Sequence, residues 1–285
     1  MIDIDVATHP GRALVTGQVW SHIYSDKTHV YNLRLAPPTM PDGDRSGGFL
    51  SYQGLPGAGF DGMHAPPTTP TWTGSYDILP NPAFGQIAGL PIEVASTKSL
   101  YGRWWWEGNF PATSKLRETT SGQPLGEFEN PLPWELHDCR LIYHRWITPD
   151  LGKLGPGQKF TIGVELTPLD LEYKLTLRRD SELKEPAARW DQNNHDIERV
   201  AEVYFFHEAS GGQAHTRLTH RYQGSVDMTS LLRSGRAVLI GRSPRRSARL
   251  LDQERPIGAD DDGHWTWFRV VLPVKLLDWK PRNDL

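Results

Sequence analysis

SLYGRWWWEGNF, residues Ser99 to Phe110, is the stretch whose reading decides the fold. Its density of aromatic residues marks a strand. Side chains on a strand alternate, so Trp104 and Trp106 must point to one face and Trp105 to the other. At least one indole is therefore placed to meet solvent. An exposed Trp flanked by Arg103 and Glu107 combines an apolar ring with a hydrogen-bonding rim, the chemistry of a sugar-stacking platform or a protein contact. Trp105, Arg103 and Glu107 are accordingly the candidate ligand-binding residues. The plainer alternative is that both faces pack against layers of structure, with each ring burying ~150–250 Å² as ordinary core.

The flanking sequence extends this β reading in both directions. GLPIEVAST (89–97) is a neighbouring strand candidate, and RALVTGQVW (12–20) and THVYNLRL (28–35) read as two more, with SHIYSDK as the turn between them. Residues 36–91 are broken by Pro, which fixes φ, and by Gly, which takes positive φ, so short strands and ordered loops are expected and long helices are excluded. Beyond residue 119, LGEFEN, PLPWELHDCRLIYH and KLGPGQKFTIGVEL read as successive strands. Leu141 and Tyr143 share one face there, as do Phe160, Ile162 and Val164, and Gly155-Pro156-Gly157 turns the chain. RAVLIGR (236–242) and HWTWFRVVLPV (264–274) are the last strand candidates.

Only one stretch has a clear helical period. In DIERVAEVYFFHEASGG the apolar residues Ile197, Val200, Ala201, Tyr204 and Phe205 recur at helical spacing, predicting an amphipathic helix near 196–209. Asn194 is the expected N-cap, and Gly211-Gly212 the left-handed stop. The fold class read from these patterns is mainly β, with immunoglobulin-like β-sandwiches and one amphipathic helix. The chain length suits about two domains. They are read as an N-terminal β-rich domain, 1–118, and a β-sandwich domain with one helix, 119–285, joined near TTSGQ.

Composition narrows the function. The 285 residues include 27 Gly, 23 Pro and 11 Trp and carry a formal charge of −3, which excludes a basic nucleic-acid binder in bulk. The lone Cys139 cannot form an intrachain disulfide or a multi-cysteine metal site and is read as a small buried residue. The start MIDIDVATHPGRALV lacks the features of a secretory signal, and no apolar stretch of spanning length is present.

No G-x-S-x-G, H-E-x-x-H, P-loop or dinucleotide fingerprint occurs. Glu107, Glu127, Glu129 and Asp138 are the carboxylates near aromatic residues that an acid–base pair would need, but acids are common on the solvent faces of β proteins and these are read as solvated. The histidines fall at no metal-ligand spacing: His215 and His220 are five apart, and His207 fits a helix-end cation. Asp260 to Gly263 reads as a solvated turn. The arginines Arg233, Arg236, Arg242, Arg245, Arg246 and Arg249 are interspersed with later acids and read as a loop of mixed charge. No catalytic residues, metal or cofactor are assigned.

The phrases GLPIEVASTKSLYGRWWWEGNF, ENPLPWELHDCRLIYHRW, LGKLGPGQKFTI, RAVLIGR and HWTWFRVVLPV resemble β-sandwich regions of large bacterial cell-envelope proteins of the planctomycete type. The resemblance spans roughly residues 45 to 275 as scattered phrases. It implies a domain displayed outside the cytoplasmic membrane and names no activity. The combined reading is a non-catalytic structural or binding module of the bacterial cell envelope, with an envelope protein or polysaccharide as partner. The alternatives are a carbohydrate-active enzyme with an acidic pair beside an exposed Trp, and a glycan-binding module.

Overall fold

The computed structural model describes residues 1–8, 11–40, 45–54, 77–79, 85–109, 113–177, 189–219, 223–258 and 264–276. The protein is mainly β. The first strands are β1 (Ile2–Asp5), β2 (Arg12–Ser25), β3 (His29–Ala36), β4 (Arg45–Gly54), β5 (Asp77–Leu79), β6 (Gln86–Ile92) and β7 (Ser96–Asn109). Next come β8 (Leu116–Glu118), β9 (Pro124–Glu129), β10 (His137–Tyr143), β11 (Trp146–Ile147), β12 (Lys159–Ile162) and β13 (Leu169–Asp170). The helices are α1 (Leu171–Thr176), α2 (Ile197–Phe205), α3 (Gly212–Thr216), α4 (Gln223–Val226) and α5 (Thr229–Arg233). The chain returns to strand in β14 (Arg236–Ser243), β15 (Arg249–Asp252), β16 (Arg255–Pro256) and β17 (Thr266–Lys275). Among the described residues no helix is long and apolar enough to cross a membrane.

Two compact units emerge, each drawing on several stretches of chain, whereas the sequence reading divides the chain once, at 118/119. Unit 1 comprises Met1–Asp5, Gly11–Phe110 and Ser243–Phe268; unit 2 comprises Val6–Pro10, Pro111–Arg242 and Arg269–Leu285. TTSGQ is a tight turn within unit 2, closed by Thr119 N–H donating to the Gln123 carbonyl at 2.9 Å and leading from β8 into β9.

In unit 1, β1, β2, β7 and β4 form one antiparallel sheet, and β16, β15, β3, β6 and β5 form another. β2 and β3 are therefore not hairpin partners: Ser21–Ser25, expected as turn, continue β2 and pair with β7 down to Ser25↔Ser96. The alternation of apolar residues sustains the longer strand, since Ala13, Val15 and Ile23 are buried on one face with Leu50 and Leu100. Each of the large aliphatics removed from water there contributes about 1.5–3 kcal/mol. Gly102 leaves room on this face for Leu35 of β3, whose Cδ1 lies 2.9 Å from where a Cβ would stand.

Unit 2 is built around β10, flanked by β14 (Leu141↔Leu239, Tyr143↔Ala237) and β11. β9 pairs with β12 and β8, and β8 runs parallel to β17 at Val274↔Leu116. Leu141 and Tyr143 are both fully buried, whereas Val164, expected on the face of Ile162, is 87% exposed because β12 ends at Ile162. The Pro-rich approach to β10 is tied down by Asn130. Its Nδ2 donates to the carbonyls of Trp134 (2.9 Å), Leu154 (2.9 Å) and Gly155 (3.1 Å), and its Oδ1 accepts from Leu132 N–H (3.0 Å). The side chain thus satisfies Leu132 N–H and adds a donor to the bridge and turn carbonyls of Leu154 and Gly155, beside prolines that supply no N–H of their own.

The predicted helix is present but shorter, and four other short helices accompany it. Its N-cap is Asp196, whose carboxylate accepts from Glu198 and Arg199 N–H, while Asn194 accepts from Asp196 N–H at 2.7 Å one step earlier. Gly211 and Gly212 do take positive φ, but α2 has ended by Phe205. The buried side is Val203, Phe205 and Phe206, while Ile197 is 81% exposed. The expected stripe fails at its start because that end of α2 is held by polar contacts, with Asp196 capping the first turn and Glu198 paired with Arg242.

Candidate functional site

β7 lies between β2 and β4, and its register sets the site. Trp104 pairs with Gly17 and Gly48, and Trp105 with Thr16 and Gly47. Trp104 and Trp106 are buried (0% and 4% exposed), and Trp105 is 37% exposed on the opposite face, as alternation requires. Each of these large rings is accommodated by a glycine on a neighbouring strand. A Cβ at Gly17 would stand 2.0 Å from Trp104 Nε1, and a Cβ at Gly47 would stand 2.2 Å from Trp105 Cζ2. The Trp105 indole is thus laid across the backbone of β4.

Arg103 and Glu107 share this outer face with Trp105. Arg103 is exposed and forms no ion pair among the described residues, whereas Glu107 accepts from Arg12 at 3.0 Å. Cross-strand neighbours enlarge the set: Phe49 stands opposite Arg103, Leu14 opposite Glu107 and Trp20 opposite Tyr101, and Phe49, Leu14 and Trp20 are all exposed. The Trp20 and Tyr101 rings meet at 5.5 Å, and Tyr101 Oη donates to Gln18 Oε1 at 3.2 Å. Along β7 the outer-face positions 101, 103 and 105 recur every ~7 Å, so Tyr101 and Trp105 mark the ends of a strip ~13 Å long. Trp20, Tyr101 and Phe49 were not legible as site residues in the sequence. Period-two alternation places each on a face, but only the strand register brings them beside Trp105.

Where the strip reaches Trp20, unit 1 holds a cavity of about 310 Å³ whose walls include Trp20, His22, Arg246, Arg249 and His264. Among the described residues no Asp or Glu lines it. His22 Nδ1 lies 2.8 Å from Ser99 Oγ, and His264 Nε2 lies 3.1 Å from Thr266 Oγ1.

The other carboxylates considered for acid–base work belong to unit 2, and each is engaged. Glu127 lies 3.6 Å from Lys159 Nζ, and Glu129 accepts from Thr113 Oγ1 at 2.6 Å. Asp138 accepts from Arg242 Nε at 2.9 Å, and the same guanidinium reaches Glu198. Burial works against the Arg242 charge, but the bonds and attraction of Asp138 and Glu198 outweigh it and raise its pKa. Arg233 is paired with Glu208 at 3.3 Å. The arginine-rich stretch is therefore divided: Arg233, Arg236 and Arg242 lie in unit 2, and Arg245, Arg246 and Arg249 in unit 1.

His207 is a buried structural group, not a helix-end cation at the surface. Gln223 Nε2 donates to its Nδ1 at 2.7 Å, which places the ring proton on Nε2 facing Thr216 Oγ1 (3.1 Å) and the Leu218 carbonyl (3.2 Å). Among the described residues no group of three or more His, Cys, Asp or Glu could hold a metal ion. His220 and Asp260 to Gly263 lie outside the described residues. Cys139 is buried, and burial, with a smaller contribution from Asp150, pushes its thiol up to about 12.

Unit 2 has its own cavity of about 570 Å³, lined by Glu118, His144, Arg145, Trp146, Asp170 and Glu172 among others. Its charges largely answer one another or the backbone. His144 Nε2 lies 3.6 Å from Glu118, Arg145 stacks 4.8 Å over the Trp146 ring, and Asp170 caps α1 by accepting from Tyr173 N–H at 3.0 Å.

Comparison with protein-family models, curated proteins and solved structures finds no match to this chain.

Proposed function

We propose that this protein is a non-catalytic binding module of the bacterial cell envelope that holds a polysaccharide against the outer face of the β2–β7–β4 sheet. The observation that carries this reading is Trp105, seated over Gly47 with more than a third of its surface open and flanked by Arg103 and Glu107. A ring held by the backbone beneath it loses little freedom when a sugar stacks on it. The polar groups beside it, Thr16 and Arg103, suit the hydroxyls of a glycan. Glu107 is neutralised by Arg12, and Glu127, Glu129 and Asp138 already hold partners, which favours recognition over acid–base catalysis. The envelope compartment rests on the resemblance of the ENPLPWELHDCRLIYHRW region.

The architectural side of the proposal is an immunoglobulin-like packing of sheets in the region from residue 119. Support comes from the antiparallel pairings of β10 with β14 and of β9 with β12, each between strands distant in sequence.

Affinity electrophoresis of the full chain through gels containing a panel of envelope polysaccharides tests the reading. Retardation by at least one glycan, abolished in Trp105→Ala, is the expected result. A chain that no glycan retards, or a variant retarded like the parent, overturns it.

A further inference from the structure

The Trp105 ring is the first of a row of rings on its face. Trp20 stands four residues along β2 from Thr16, the partner of Trp105, and Tyr24 stands four residues further, opposite Thr97. β2 and β7 pair in one unbroken register over this length, so all three rings keep to the face that alternation gives them. Four strand residues advance the chain by ~13 Å, so the stations lie ~13 Å apart and the row extends ~27 Å. Trp105 is 37% exposed, Trp20 39% and Tyr24 65%. The middle station is a pair, since the Tyr101 ring meets Trp20 at 5.5 Å. Polar side chains divide the row: Arg103, with Phe49 beside it on β4, separates Trp105 from Tyr101, and His22, 2.8 Å from Ser99 Oγ, separates Trp20 from Tyr24. The charges on this face are of both signs, with Asp3 and Asp5 of β1 and Glu107 set against Arg12 and Arg103.

Resting on the glycan reading above, we infer that the ligand is an uncharged, extended polysaccharide bound along its interior, with rings of one sugar chain stacking on Trp105, on the Trp20–Tyr101 pair and on Tyr24. Isolated apolar residues are ordinary on a protein surface, but rings repeated at one spacing along one pair of strands match a ligand that is itself a line of rings. A single sugar or a chain end needs one platform; three are used only by a ligand long enough to reach them. Each further ring that is reached adds stacking as an intramolecular contact, at little additional cost in lost translation. A polyanion gains no advantage here, because the acids of β1 and Glu107 offset the two arginines. A protein partner fits less well, since the centre of such an interface is a continuous apolar patch, whereas polar side chains divide these rings.

The test is calorimetric binding of the full chain to β-1,4-linked oligomers of glucose and of N-acetylglucosamine, two neutral and extended series, at lengths from about two to about eight sugars. Expected for at least one series is an affinity that rises about tenfold or more with length and changes less than about twofold as NaCl rises from about 0.05 to about 0.5 M. Tyr24→Ala should weaken binding of the longest oligomer about threefold or more and leave the shortest oligomer that binds within about twofold of the parent. Its thermal midpoint should stay in place, because Tyr24 is the most exposed of the three rings. Tyr24→Phe, which keeps the ring, should bind like the parent. An affinity independent of length, polygalacturonate bound more tightly than either series, or a Tyr24→Ala variant that binds the longest oligomer as the parent does, overturns the inference. So does the absence of binding to both series, the result a protein-docking face would give. The glycan-binding reading survives each of these outcomes if some polysaccharide still retards the parent and Trp105→Ala abolishes that retardation. If no polysaccharide retards the parent, the broader reading fails with it.

Discussion

The indole of Trp104 lies across Gly17 and donates its Nε1 proton to the Ser247 carbonyl oxygen at 2.7 Å. A strand glycine and a carbonyl 143 positions beyond the tryptophan thus share one fully buried ring. The ring has nowhere to go. Gly17→Ala should therefore destabilise the protein by about 2–3 kcal/mol, because the added methyl must displace Trp104 or the backbone and break the buried bond. Urea unfolding followed by Trp fluorescence measures this; a midpoint within error of the parent contradicts the packing.

Gly47 and Trp105 make the contrasting pair. Gly47→Ala pushes on a ring that is partly open to solvent and can rotate away, so the stability cost should stay below about 1 kcal/mol. The indole, however, would no longer lie flat on β4. Glycan retardation in gels should fall nearly as far as in Trp105→Ala while the unfolding midpoint barely moves. Unchanged retardation would show that the seating of the ring does not matter.

Alkaline pH should destabilise the protein through Tyr143 and Cys139. Burial, followed by the charge of Glu118, pushes Tyr143 from its ordinary 10.0 up to about 12, and burial lifts Cys139 from 9.0 to about 12. Both groups hold their protons longer in the folded state. Their contribution is complete below pH 9 for Cys139 and below pH 10 for Tyr143, and is lost towards pH 12 at about 1.4 kcal/mol per pH unit for each. Tyr143→Phe should flatten the fall between pH 10 and 12. At pH 7 it should be neutral or stabilising by about 1 kcal/mol, since the buried hydroxyl makes no hydrogen bond. Thermal midpoints across pH 7–11.5 test both parts. For the same reason Cys139 in the native protein should resist iodoacetamide at pH 8 and react after denaturation.

Asn130 should be among the most sensitive polar positions. Replacing it with Ala leaves the amide of Leu132 without its acceptor in a buried corner and removes the side-chain donor that the carbonyls of Leu154 and Gly155 share with backbone N–H groups, a cost of about 1–3 kcal/mol. Asn130→Asp should cost a similar amount, because a carboxylate keeps the acceptor but cannot donate to those carbonyls. Chemical denaturation of both variants provides the measurement.

Much of the β layout was legible because it depends on local rules. Strand alternation placed Trp104 and Trp106 opposite Trp105, whereas most of the Gly- and Pro-punctuated stretch 36–91 lies outside the described residues. The helix near 196–209 was found from its period, but its cap and buried side were misjudged. Asp196 competes with Asn194 for the same turn, and the contacts of Glu202 and Arg199 hold one side of the helix. Val164 continues the alternation of β12, yet nothing pairs with it once the strand ends at Ile162. The roles of Asp138 and Glu127 were equally hidden, because a carboxylate in sequence does not disclose the arginine or lysine that will face it.

What the sequence by itself determined is which side of its strand each tryptophan of 104–106 occupies, since that follows from a two-residue repeat set by covalent geometry. What only the tertiary structure decided is what stands beside them. Gly17 under Trp104, Gly47 under Trp105, Phe49 opposite Arg103 and Trp20 against Tyr101 are all set by the register of β2 and β4 on β7. That register couples residues more than fifty positions apart, and it is selected by how the buried faces of whole strands fit together, a choice that no local pattern contains.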